Sequence, residues 1–269
     1  MEQFTQELQQ LLHDRMHGSE WLTRRLIRSI QSLCQRRPAG EPLPEEFWTA
    51  LHHLRQAWTS FRSPLMLMDT LISVRTKPAE TVADVLQQVL TQKDTTLTRL
   101  RQAFLKIGPR NRTLLLHSHS DTILRVLTAL PEEDRPSLLF QTISYPGEEG
   151  LRSARSLSKA GYAVEVLPDT AVGNKLTEVD WLVLGADGLG TTHFTNKVGS
   201  LVLALLAKAV HLPLYVLAEA AKTVPEPCPP IRLTYSARDL WPEAPDGILL
   251  SGGLLEPVPN QLVTEFLTA

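Results

Sequence analysis

The segment Asp180-Trp-Leu-Val-Leu-Gly185 runs into Gly185-Ala-Asp-Gly-Leu-Gly-Thr-Thr-His-Phe-Thr-Asn-Lys-Val-Gly199 and then into Ser200-Leu-Val-Leu-Ala-Leu-Leu-Ala-Lys-Ala-Val210. Its first part is a short, β-rich apolar run and reads as a buried strand. Its last part reads as a helix, with Asn196 and Lys197 expected where that helix begins. A strand feeding a helix delivers Asp187 to the C-terminal end of the strand, the edge at which open α/β sheets bind ligands. The free N–H groups and positive dipole end at a helix start attract anions. Together these features suggest a phosphate-bearing small molecule beside an acid/base group. Taken alone, Asp187 reads equally well as a turn residue, because Asp and Gly favour turns for local reasons. The Gly-x-Gly at 188–190 lacks the third glycine of a dinucleotide fingerprint.

Outward from this segment, strand-like runs at 113–117, 138–144, 162–167, 181–185 and 214–217 alternate with helical ones at 121–130, 149–160, 169–175 and 196–210. Strict alternation implies right-handed crossovers and a Rossmann-like α/β domain, a mainly parallel sheet with helices on both faces, over 111–269. The tail at 255–267 reads as an extended stretch followed by a short closing helix. Residues 1–110 read as a helical N-terminal domain. Leu22, Leu26, Ile30 and Leu33 recur at helical spacing, as do Phe47, Leu51, Leu54 and Trp58. A further helix is expected at 64–73, and Thr81 is a candidate cap for 82–90, with Leu97, Leu100 and Phe104 continuing the period in the next segment. Arg62-Ser-Pro64 reads as a loop-like break, and Gly18 as a cap.

Composition narrows the function classes. The 269 residues are 43% hydrophobic and 21% charged, ordinary for a soluble globular protein. A net charge of −2 gives no reason to expect nucleic-acid binding. Cys34 and Cys228 form no framework and no metal-ligand spacing. The first residues lack a signal-peptide layout, and no apolar run reaches the roughly 18 residues of a membrane span. The expectation is a cytoplasmic protein with no membrane partner, no metal and no cofactor.

His117-Ser-His-Ser-Asp121 closes the first strand of the α/β half. Read as a serine nucleophile, it lacks the flanking glycines of a hydrolase elbow. Read as a metal site, His117 and His119 share a strand face but have no further ligands in evidence. The plainer reading makes Ser120 or Asp121 the cap of the following helix, with the histidines lining a crevice or contacting a ligand. Lys222 would reach the same sheet edge, either as a ligand contact or as a solvated lysine.

Several motifs together resemble one superfamily. Gly185-Ala-Asp, Asn196-Lys-Val-Gly, Ala204-Leu-Leu-Ala-Lys208, Pro213-Leu-Tyr-Val and Ala218-Glu-Ala-Ala-Lys222 resemble the signature of the alpha, beta and delta subunits of translation initiation factor 2B. That superfamily includes methylthioribose-1-phosphate and ribose-1,5-bisphosphate isomerases. Asp14-Arg-x-x-Gly-Ser, Arg62-Ser-Pro64 and Leu255-Glu-Pro-Val-Pro259 resemble further family motifs. The resemblance implies a helical domain before a Rossmann-like one, and a homodimer. It also implies that the isomerases transfer protons with a cysteine and an aspartate. Asp187 matches the aspartate, whereas Ser118 fills the cysteine position, and a hydroxyl is far less acidic than a thiol. His17 and Ser144-Tyr-Pro146 stand where the isomerases carry phosphate-binding arginines. Gly18, Arg62, Asn196 and Lys197 remain as candidate phosphate contacts. What the resemblance implies is a factor-2B-alpha-like protein binding a phosphorylated sugar or nucleotide in a regulatory role. The rival is a sugar-phosphate aldose–ketose isomerase using Asp187.

Overall fold

Leucine and aromatic side chains spaced three and four apart shape the first part of the chain. The computed structural model describes residues 2–12, 18–58, 62–224, 240–241 and 243–269. Here helices α1 (Glu2–Leu12), α2 (Ser19–Cys34), α3 (Glu45–Ala57), α4 (Arg62–Ile72) and α5 (Ala79–Lys106) follow one another. Their apolar stripes meet in one cluster that includes Leu22, Leu26, Ile30, Phe47, Leu51, Leu54, Met68, Leu71 and Val82. Arg62-Ser-Pro64 is not a loop-like break but the first turn of α4. Proline is tolerated there because the N–H it lacks would have no intrahelical partner. Thr81 lies inside α5 and does not cap it, and α5 runs unbroken for 28 residues through all the periodic positions. It ends before Gly108, whose φ of +75° suits glycine. Asp14, Arg15, His17 and Cys228 lie outside the described residues.

Chain contacts divide the molecule within α5, into Met1–Thr96 and Leu97–Ala269. Among the described residues, the second unit carries nine strands: β1 (Thr113–Leu116), β2 (Leu138–Thr142), β3 (Val164–Leu167), β4 (Trp181–Leu184), β5 (Gly188–Leu189), β6 (His193–Lys197), β7 (Leu214–Ala218), β8 (Leu255–Pro259) and β9 (Glu265–Thr268). Between them lie helices α6 (Asp121–Thr128), α7 (Glu149–Lys159) and α8 (Ser200–Ala209), and a 3-10 stretch at Asp169–Glu178. Six strands form one parallel sheet in the order β3-β2-β1-β4-β7-β9. The inner strands are mostly apolar, with Gln141 and Thr142 ending β2, and all four residues of β4 are buried. Separate buried clusters contain Phe140, Leu182 and Val216 on one side and Leu114, Val183 and Leu217 on the other, as expected for a sheet covered on both faces. The order reverses between β1 and β4, and a crevice beyond the strand ends is expected at such a switch point.

Two expectations fail in this unit. Asn196 and Lys197 do not open a helix; they end strand β6, which pairs antiparallel with β5 and β8 in a second, three-stranded sheet. Phe194 and Thr195 favour a strand, and Phe194 is fully buried edge-on to Phe266 at 5.9 Å. Gly199, at φ +101°, then turns the chain and α8 starts at Ser200. The tail likewise ends in a strand, not a closing helix. β9 pairs with β7 from Tyr215–Glu265 to Ala218–Thr268, filling a sheet edge that would otherwise expose unpaired backbone groups.

Candidate functional site

The C-terminal ends of β1, β2 and β4 gather a concentration of buried polar side chains. Immediately after β1, His117 is 3% exposed. Its Nε2 donates to the Val198 carbonyl at 2.9 Å, because a carbonyl can only accept. Nδ1 is therefore the acceptor, and Thr142 Oγ1 donates to it at 2.7 Å. The Cε1–Nε2 edge of the ring packs against Gly199, where an added Cβ would come within 2.9 Å of it. Burial lowers the His117 pKa, with the hydrogen bond to the Val198 carbonyl, Asp169 and Glu149 opposing and Lys197 assisting. His119 also has protein partners on both nitrogens, Ser153 Oγ at 2.8 Å and Asp121 Oδ1 at 3.2 Å. Ser120 caps α6, accepting from the Ile123 N–H at 3.3 Å.

Ser118 sits in the left-handed region at φ +66° and is held at three atoms. Its N–H donates to Ser144 Oγ at 2.7 Å, its carbonyl accepts from Gln141 Nε2 at 3.1 Å, and its hydroxyl donates to Glu149 Oε1 at 2.9 Å. The same Glu149 oxygen is 2.8 Å from Lys197 Nζ. Lys197 is only 4% exposed, so its charge is neutralised inside the protein. Glu149 begins α7 beside Gly150, where a Cβ would meet the Thr142 carbonyl at 1.9 Å. Sequence reasoning missed Glu149. The signal that could have found it is the pair of glycines at 147 and 150 around an acidic residue just after a strand.

Asp187 follows β4 and donates its N–H to the Thr195 carbonyl at 2.8 Å. Its residue keeps partial exposure, yet no hydrogen bond reaches its carboxylate among the described residues. Burial of the carboxyl raises its pKa above the usual range; Lys222 pulls it back down and Glu149 adds to the rise. Lys222 is not a solvated lysine. It is 5% exposed and donates from Nζ to the Ala186 carbonyl at 2.6 Å. Asn196 Nδ2 donates to Ser200 Oγ at 2.9 Å. The first N–H groups of α8 are not free either. Glu256 of β8 accepts from both Gly199 and Leu201 at 2.8 Å.

One edge thus brings together Ser118, Asp187, Lys197, Lys222 and Asn196, with His117 and His119 held by hydrogen bonds on both ring nitrogens. The other two expected phosphate contacts belong to the helical unit. Gly18 is the N-cap of α2, with extended backbone. Arg62 opens α4 with its Nε buried and, among the described residues, without a hydrogen bond.

The comparisons with known proteins agree with this architecture. A protein of Pyrococcus horikoshii named as eIF-2B subunit 2-like is 25% identical over 223 residues, 81% of this chain and 78% of that one. Ribose 1,5-bisphosphate isomerase of Archaeoglobus fulgidus is 31% identical over 141 residues, 52% of this chain but 45% of the isomerase. Among solved structures, translation initiation factor eIF-2B of Pyrococcus horikoshii matches with a TM-score of 0.82 at 21% identity, covering 99% of this chain and 95% of that one. At that identity the match speaks for the fold alone. The model of the initiation factor 2 subunit family matches residues 4–229, and the chain belongs to that family.

Proposed function

We propose that this protein is a translation initiation factor 2B alpha-subunit-like protein. On this reading it binds a phosphorylated sugar or nucleotide at the sheet edge, acts in regulation, and lacks isomerase activity. The observation that carries the reading is Ser118. It takes the position of the family cysteine, and its hydroxyl is already donated to Glu149. Moving hydrogen between two carbons of a sugar phosphate needs one group to donate and another to accept, each with a pKa near working pH. A serine hydroxyl committed to a carboxylate does not meet that requirement. Lys197, Lys222 and Asn196 supply cationic and amide groups for a ligand's oxygens. The assembly on this reading is a cytoplasmic homodimer. Exposed Val202 and Leu205 on α8, 60% and 51% accessible, support a face that a second copy would cover. Among the described residues, no helix is long and apolar enough to cross a membrane.

One observation favours the isomerase alternative. A carboxyl that holds its proton to higher pH, beside a second carboxylate, is a familiar acid/base arrangement. Proton and phosphorus NMR of the protein with ribose 1,5-bisphosphate, and separately with methylthioribose 1-phosphate, decides between them. Line broadening without new ketose signals is expected. Ketose signals that disappear in Asp187→Asn would replace the regulatory reading with an isomerase.

A further inference from the structure

Among the described residues, several cationic and N–H donor groups at the sheet edge already have an acceptor in the chain itself. Glu256 occupies the start of α8, where the Gly199 and Leu201 N–H groups converge. Glu149 occupies Lys197 and Ser118 together through a single oxygen. Its other oxygen folds back over Gly147, where an added Cβ would lie 2.4 Å from it and 3.3 Å from Lys197 Nζ. Lys222 is turned to the Ala186 carbonyl and faces Asp187. Among the described residues, Lys197 and Lys222 at this corner are set against Glu149, Asp187, Asp169 and Glu256. Asp169 is itself engaged, accepting the N–H groups of Ser144 at 2.8 Å and Tyr145 at 2.7 Å.

Resting on the phosphate-binding reading above, we propose that Glu149 is a specificity-determining carboxylate. It makes the Lys197–Ser118 corner a receptor for sugar hydroxyls and excludes a second phosphate from it. A carboxylate next to an ammonium and a hydroxyl offers an acceptor, a charged donor and a neutral group that does both, the set that a vicinal diol satisfies. A phosphate placed there would share Lys197 with a carboxylate held 2.8 Å from the same nitrogen, and the two anions would repel each other across that shared ammonium. The favoured ligand class is therefore a monophosphorylated sugar or nucleotide, with its polyol end at Glu149, over any bisphosphate.

Isothermal titration with ribose 5-phosphate and ribose 1,5-bisphosphate, on wild type and Glu149→Gln, tests this. Wild type is expected to bind the monophosphate at least tenfold more tightly. Glu149→Gln, checked for folding by its circular-dichroism melt, is expected to cut that preference at least tenfold by opening Lys197 to the second phosphate. Adding Lys197→Met to Glu149→Gln should restore the preference. A wild type that prefers the bisphosphate overturns the proposal whether or not the variant folds, as does an unchanged preference in a folded variant. Binding of neither sugar to either protein removes the phosphate-binding reading itself, and the proposal with it.

Discussion

The main cluster of the helical unit and the strand ends of the parallel sheet bury side chains of opposite character. In the former, the cluster around Leu26, Phe47 and Leu54 is apolar, and the buried carboxylate Glu20 is paired with Arg24 and Lys93. In the latter, His117, Gln141, Thr142, Ser144, Asn196, Lys197, Ser200, Glu219 and Lys222 are all buried within one region. Burying polar groups costs free energy unless each is hydrogen-bonded, so an apolar replacement is often neutral or better for stability. A region that keeps two buried lysines and a carboxyl with a raised pKa is therefore shaped by something other than stability. The helical core reads as a packing solution and the sheet edge as a chemical one.

Substitutions that should hurt one region and spare the other can break this contrast. The largest expected effect is in the helical core. Phe47→Ala should lower unfolding free energy by about 3–5 kcal/mol in a urea titration while leaving sugar-phosphate affinity unchanged, provided the variant is still folded. If affinity falls in step with stability, the two regions are not energetically separate. Next in size is Lys197→Met, which strands Glu149 in a partly buried site. A loss of about 1–3 kcal/mol is expected, with recovery of part of it in the double variant with Glu149→Gln, since the two losses are coupled. Strict additivity in that cycle would show that the pair is not a unit.

The pH dependence sharpens the contrast further, because Asp187 and His117 act in opposite directions. Asp187 has a folded pKa above its unfolded value, so the native state binds the extra proton. Its contribution is complete below about pH 4 and is lost as pH rises through the folded value. Asp187→Asn should thus match wild type in acid and melt at a higher temperature at neutral pH. His117 has a folded pKa below its unfolded value. Its contribution is complete above about pH 6.5 and is lost as pH falls toward the folded value. His117→Gln should accordingly flatten the acid side of the melting profile. A neutral-pH melt of Asp187→Asn below that of wild type would sink the claim that the carboxyl is desolvated. The smallest expected effect is Ser120→Ala, which removes the α6 cap and should cost about 1 kcal/mol.

Much of the parallel sheet was legible because buried strands are written as local apolar runs. The observed β1, β2, β4 and β7 lie where composition placed them, and Asp187 follows β4 as read. The helical unit was legible for the same local reason, since a periodicity of 3.6 needs only neighbouring residues. Strand β6 was misread because its Gly-rich approach looks like a turn, while its pairing partner β8 starts 58 residues after Lys197 (255 − 197). β9 was misread because a short apolar tail carries no sign of the edge it will complete. The burial of Lys222 escaped notice because the carbonyl that receives it belongs to Ala186, 36 positions earlier.

By itself, then, the sequence determined the helical first part, the alternating α/β second part and the delivery of Asp187 to the end of β4. These follow from hydrophobic periodicity and turn chemistry, which act over a few residues. Only the tertiary structure decided what those side chains meet. Glu149 reaches Ser118 across 31 positions, and Glu256 takes the α8 N–H groups from a strand more than fifty positions away. Such meetings depend on strand order and register, and no local pattern encodes which carboxylate will arrive beside a buried lysine.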